Sequence, residues 1–247
     1  MPLQLDHIII GVHDLDAATQ DYRALGFTVV PGGMHASRAT HNALITFADE
    51  TYLELMAPTG EAPVPGVADY SEILAGGEGL VGFALRSDDL DADAARLPAH
   101  GWRVDGIVSG ERQRSDGVSV QWRMTLLNGW YAPFLIQDVT PRERRISRDP
   151  ASTTHPNGAR GLHGIEIAAR DLPGAWARYS RLFGLPQSPM PDEPVVGSVT
   201  LRPADSRQGE RAERLAAVQI VGPDRTDDNL TLERTHGIVF RWLALPD

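Results

Sequence analysis

"GVHDLDAATQDYRALGF" (residues 11–27) reads as a capped helix. Asp14 suits the N-cap, because its carboxylate accepts the orphan N–H groups of a first turn. Gly26 suits the left-handed position that ends a helix. Between them Leu15, Ala18, Tyr22 and Leu25 fall on one face at helical spacing. The same punctuation returns in "LRSDDLDADAARLPAHGW" (85–102) and "AARDLPGAWARYSRLFGL" (168–185), from Asp89 to Gly101 and from Asp171 to Gly184. Leu172, Ala175, Tyr179 and Leu182 repeat the apolar face. Pro98 in the middle copy predicts a shortened or distorted last turn.

Each helix follows a strand: "DHIIIGV", "VGFALRS" and "HGIEIAA". Each unit is expected to close with another: "YLELMAP", "PFLIQDVTP" and "AVQIVGP". A polar residue precedes a proline by the same distance in all three: Glu54 to Pro58, Gln137 to Pro141, Gln219 to Pro223. "HNALITFAD" (41–49), "VSVQWRMTLL" (118–127) and "GSVTLRPA" (197–204) read as one further strand each. The expected fold is α+β, built of repeated β-α-β-β-β units over residues 1–60, 79–141 and 161–223. Residues 224–247 form a C-terminal extension, either a truncated fourth unit or a plain helix and strand. The segments between units are polar and rich in Gly or Pro.

Composition narrows the chemistry. With 247 residues, 42% of them hydrophobic and 23% charged, the chain has the make-up of a globular protein. No run approaches the roughly 18 apolar residues of a membrane span, and "MPLQLDHIII" lacks the features of a signal peptide, so a cytoplasmic protein is expected. The absence of cysteine excludes disulfides and thiolate chemistry. All 23 basic residues are arginine, which excludes Schiff-base lysines and the P-loop lysine. A formal charge of −10 argues against a nucleic-acid partner.

The repeat, "LDHIIIGVHDLDAATQDYRALGF", "YLELMAP" and "HPNGARGLHGIEIAARDL" together resemble the glyoxalase/bleomycin-resistance/extradiol-dioxygenase (vicinal oxygen chelate) superfamily. Within it the chain is similar to the glyoxalase-like domain branch, on "HASRATHN" and "HPNGA". The resemblance implies that pairs of units curl their mixed sheets into a cup, with the helices outside. It also implies a divalent metal, Fe, Mn, Zn or Ni, held by His from a first strand and Glu or Gln from a closing strand, and no organic cofactor. His7 and Glu54 match in the first unit. Gln137 and Gln219 are the matching candidates in the other two by their distance to proline.

Register tempers the histidine count. His7 lies seven residues before Asp14; seven before Asp89 is Gly82, and seven before Asp171 is Gly164. His163 is one place early, and one residue of slip turns a strand side chain to the opposite face. Without a bulge it faces the helix layer, and Glu166 shares the face of Gly164.

The expected site is therefore His7, Glu54 and a glutamine as metal ligands, with Glu54 or Glu166 handling protons. His35, His41 and Asn42 of "HASRATHN", together with Arg86 and Trp122, are candidates for substrate contact. The partner expected is a small molecule, with no membrane; a homodimer is the further expectation, since an odd unit can pair with a second chain. Two functions stay open: a small-molecule enzyme of isomerase, lyase or dioxygenase type, and a metal-free binding or resistance protein.

Overall fold

The computed structural model describes residues 3–62, 70–128, 131–205, 214–223 and 230–244. Its order begins β1 (Gln4–Gly11), α1 (Leu15–Ala24), β2 (Val30–His35), β3 (Thr40–Thr46), β4 (Tyr52–Pro58) and α2 (Tyr70–Ile73). β5 (Gly79–Arg86), α3 (Leu90–Arg96), β6 (Arg103–Val104), β7 (Val108–Gln113), β8 (Ser119–Asn128) and β9 (Phe134–Asp138) follow. α4 (Arg142–Arg145) and α5 (Pro150–Thr153) lead into β10 (Gly161–Ala169), α6 (Leu172–Leu182), β11 (Val195–Val196), β12 (Val199–Pro203), β13 (Arg214–Val221) and β14 (Phe240–Leu243).

The three aspartates cap as their spacing predicts. Asp14 accepts from the N–H groups of Asp16 and Ala17, Asp89 from Ala92 and Asp171 from Gly174, all at 2.9–3.0 Å. Gly26, Gly101 and Gly184 take positive φ after the helices, at 83°, 83° and 67°. In the middle copy the α-helix stops at Arg96, and Leu97–His100 tightens into a 3₁₀ turn around Pro98.

The first nine strands form one mixed sheet, hydrogen-bonded in the order β6-β8-β7-β2-β3-β4-β1-β5-β9. β8 also pairs with β9, so the sheet curls round and meets itself. The first two units thus join twice, through β1 with β5 and through β2 with β7. The remaining strands form a second sheet, β11-β12-β10-β13-β14. Outward residues of both sheets (Ile8, Ile10, Phe83 and Leu85 of one, Ile165, Ile167, Val218 and Ile220 of the other) share one core with Tyr22 of α1 and Tyr179 of α6. Each such side chain stabilises the fold by about 1.5–3 kcal/mol relative to exposure.

Strand pairing corrects the reading of the third unit. β1 pairs antiparallel with β5, with register shifts between Leu5 and His7 and between Ile9 and Ile10. β10 pairs antiparallel with β13, with shifts at the matching places, between Leu162 and Gly164 and between Glu166 and Ile167. β13 therefore stands where β5 stands. The strand parallel to β10, as β4 is to β1, is β12. "AVQIVGP" does not close the third unit, and Gln219 is not the counterpart of Glu54. That counterpart is Thr200, which pairs with Glu166 as Glu54 pairs with Ile9. His163 lies at the first register shift and is exposed rather than turned to the helix layer.

"HPNGA" staples the linker to the first unit. His155 Nδ1 accepts from the Thr28 N–H at 3.0 Å, which leaves its Nε2–H to donate to the Thr46 carbonyl at 3.1 Å. Asn157 Nδ2 donates to the Leu25 carbonyl at the end of α1. Among the described residues no helix is long and apolar enough to cross a membrane.

Candidate active site

The curled sheet encloses a cavity of about 920 Å³. β1 and β4 run side by side along its floor and bring in His7 and Glu54, both buried. An ionised carboxylate placed there is costly unless partners hold it. Asn42, from β3, supplies one: its Nδ2 donates to Glu54 Oε1 at 2.5 Å. Arg112 of β7 fixes that amide from behind, its Nη1 donating to Asn42 Oδ1 at 3.1 Å. A Cβ on Gly32 would stand 1.9 Å from Asn42 Oδ1, so glycine is needed for this approach.

Two imidazoles face the same carboxylate. His7 Nε2 is 3.4 Å from Glu54 Oε2, and His35 Nε2 is 3.7 Å from Oε1. Each ring is fixed through its other nitrogen: His35 Nδ1 lies 2.9 Å from Thr40 Oγ1, and His7 Nδ1 lies 2.7 Å from Asp6 Oδ1. Asp6 and His7 are neighbours whose side chains would ordinarily part to opposite faces. The register shift at this point of β1 lets them meet. The His7 ring is stacked on Tyr52, with centroids 4.5 Å apart, and meets Phe134 edge-on at 5.4 Å.

Behind His7 lies a buried ion network. Arg145 grips Asp6 with both terminal nitrogens, at 2.8 and 3.0 Å, and also donates to Asp138 and to Tyr52 Oη. Arg142 adds a bond to Asp6 at 2.7 Å. Burial pushes the Asp6 carboxyl up, but Arg145 and the His7 hydrogen bond outweigh it and hold it well below the usual carboxylate range. An ionised Asp6 only accepts, so the Nδ1 of His7 carries the proton. Burial lowers the pKa of His35, against the pull of Glu54, and keeps that ring neutral at pH 7.

The sequence profile of the glyoxalase-like domain matches residues 5–183, most of the chain. The chain belongs to the glyoxalase-like domain family. Its fold is similar to that of a hypothetical protein from Staphylococcus aureus over 98% of this chain and 100% of that one, at 18% identity and a TM-score of 0.75. A xylose isomerase-like TIM barrel/4-hydroxyphenylpyruvate dioxygenase fusion protein matches 91% of this chain with 37% of its own, at 16% identity and a TM-score of 0.57. Methylmalonyl-CoA epimerase from Mycobacterium tuberculosis matches 57% of this chain with 91% of its own, at 26% identity and a TM-score of 0.45. No curated protein matches the sequence. The likenesses to the Staphylococcus aureus protein and to the fusion protein show the fold of this glyoxalase-like domain and leave its chemistry to its own residues.

The glyoxalase-like domain brings together His7, Glu54, His35, Asn42 and Trp122 around the cavity. It does not bring the glutamines there. Gln137, at the end of β9, is partly exposed and donates to the Asp88 carbonyl at 2.7 Å. Gln219 lies in the second sheet, where its Nε2 donates to Glu166 Oε1 at 3.2 Å. Glu166 is locked in that sheet, bonded to Arg241 at 2.8 Å. His41 and Arg86 do not line the cavity; Arg86 donates to Gln4 Oε1.

A consistent ruler shows what stands in the vacant ligand places. Asp14 and Asp89 are both N-caps, and β1 and β5 start at Gln4 and Gly79, the same separation apart. On that ruler Gly82 corresponds to His7 and Ala84 to Ile9. Ile9 pairs with Glu54, and Ala84 pairs with Phe134. The second unit therefore offers glycine and phenylalanine where the first offers histidine and glutamate. Among the described residues no three His, Asp or Glu side chains are placed to hold a metal ion. The donor set does not fit the metal centre that the superfamily implies.

Asp6, Arg112 and Arg145 escaped the sequence reading. Only Arg145 carries a sequence signal, the composition of "RERRISR" (142–148), where four arginines cluster without saying what they face.

Proposed function

We propose that this glyoxalase-like domain is a small-molecule enzyme that moves a proton on a carbon next to a carbonyl group, and that Glu54 is the group that moves it. The observation that carries the reading is the pinned carboxylate: Oε1 is tied to Asn42, while Oε2 lies 3.4 Å from His7 Nε2, and both residues line the cavity. The carboxylate takes the C–H proton, the electron pair passes into the carbonyl, and an enolate forms. The reaction uses the His35 tautomer protonated on Nε2, whose N–H donates to the enolate oxygen while Nδ1, 2.9 Å from Thr40 Oγ1, accepts from that hydroxyl. His7, protonated on Nδ1 by its bond to Asp6, presents a lone pair at Nε2 that accepts the proton from Glu54. Return of the proton to the same carbon or to its neighbour gives an epimer or an isomer. No step needs the metal.

The test is exchange of substrate α-protons in D₂O across a panel of α-hydroxy ketones, followed by proton NMR. Glu54→Gln keeps the shape and removes the base; general-base loss costs about 10²–10⁴-fold in rate. An unchanged rate in Glu54→Gln contradicts the assignment.

A second reading is a binding protein without turnover. It is favoured by Gly82 and Phe134, which stand in the second unit where the first has His7 and Glu54. Ligand affinity with no exchange in the wild type supports that reading instead.

A further inference from the structure

Gly82 is not required by the fold. It lies inside β5, takes no positive φ, and a Cβ built on it meets no atom within 4 Å. Glycine within a strand weakens it through chain entropy and the lack of a packing side chain. Gly106, in the turn between β6 and β7, is equally open, but at two other positions around the site glycine has a visible reason: a Cβ on Gly110 would stand 2.2 Å from the Trp122 ring, and one on Gly32 would strike Asn42. At Gly82 the only thing glycine leaves is open space within the cavity.

That space lies on the apolar side. Trp122 and Met124 of β8 and Phe134 and Ile136 of β9 line the cavity with it, while His7, His35, Asn42 and Glu54 lie on the strands of the first unit. The pocket therefore has an apolar wall from β8 and β9, while its polar groups come from the first unit and from Asp105, Ser109, Glu111 and Arg112 in and before β7.

We infer that Gly82 is a specificity-determining residue, and that the space above it, walled by Phe134, receives an aromatic or branched apolar group carried by the substrate carbonyl. This rests on the proposed proton transfer for the orientation of the carbonyl, toward Glu54. The substrate class is then a neutral carbonyl compound with one polar end and one bulky apolar end. A compound with polar groups at both ends would place one of them against Phe134 without a partner, at a desolvation cost.

The experiment measures binding, not turnover, so that it stands apart from the role of Glu54. Calorimetry compares 2-hydroxyacetophenone with hydroxyacetone on the wild type, Gly82→Ala and Gly82→Leu, with thermal melting to confirm that each variant folds. The wild type should prefer the aryl compound by about tenfold or more, Gly82→Leu should lose that preference, and Gly82→Ala should fall between them. Hydroxyacetone affinity should stay within about twofold throughout. Absence of an aryl preference in the wild type, or its survival in a folded Gly82→Leu, overturns the inference. Phe134→Ala supplies the second line: it should weaken the aryl compound selectively, and an equal loss for both compounds counts against the pocket. If Glu54→Gln abolishes exchange while the aryl preference is lacking, the specificity inference fails and the proposed reaction stands.

Discussion

Asp6 and His7 are sequence neighbours whose side chains meet across a register shift, Oδ1 to Nδ1 at 2.7 Å, and Arg145 closes on the same carboxylate from behind. Asp6 is fully buried, so its charge depends on these partners. Removing one partner of a buried pair leaves the other charge uncompensated. Arg145→Ala should lower unfolding stability by about 3–5 kcal/mol. Urea unfolding checks this, and a loss below about 1 kcal/mol would show that the network carries little.

The same network sets a pH dependence. The folded-state pKa of Asp6 is depressed, so its contribution is complete above the unfolded value of about 3.9 and fades as pH falls through the folded value. Wild type and Asp6→Asn should therefore differ most in stability above about pH 4 and converge on acidification. Parallel melting curves from neutral to strongly acid pH measure the difference. A gap that widens toward low pH would reverse the sign and contradict an ionised Asp6.

His35 titrates in the opposite sense to a paired surface histidine. Burial depresses its folded-state pKa, so protonation opposes the fold and stability is lost as pH drops below the unfolded value of about 6.5. Nitrogen-15 NMR should find this ring neutral at pH 6.5. His35→Gln should flatten the stability profile just below that pH.

The vacant ligand places make a gain-of-function prediction. Gly82→His with Phe134→Glu places on β5 and β9, which continue the sheet beyond β1, the donor types that β1 and β4 carry as His7 and Glu54. Calorimetric titration with Zn²⁺ or Mn²⁺ should show tighter binding than the wild type, because hard and borderline cations take imidazole and carboxylate donors. Stoichiometric binding by the wild type that His7→Ala abolishes would show that the first unit suffices alone.

Much of this was legible in the sequence. The Asp-to-Gly punctuation gave three helices, and counting back from Asp14, Asp89 and Asp171 gave the correct partners for His7, namely Gly82 and Gly164. That ruler works because a strand and its following helix are joined by a short, repeated turn. The proline ruler misled, placing Gln137 and Gln219 beside Glu54. A proline after a strand is local punctuation, whereas the face a residue shows to the cup is set by pairing with other strands, and that is not local. Phe134 is found only through Ala84, and β13 is recognised only through its shifts against β10. His35 and Asn42 were visible as polar residues at a strand–loop edge. Arg145 was not, because the contact it makes with Asp6 spans 139 residues of chain.

In the proposed reaction Glu54 moves the proton without a bound metal. The most direct test is the α-proton exchange rate of wild-type protein after exhaustive dialysis against chelator, with metal content checked by elemental analysis. The rate should equal that of untreated protein, while Glu54→Gln falls by about 10²-fold or more under the same conditions. Loss of exchange on chelation, restored by a divalent cation, would contradict the account.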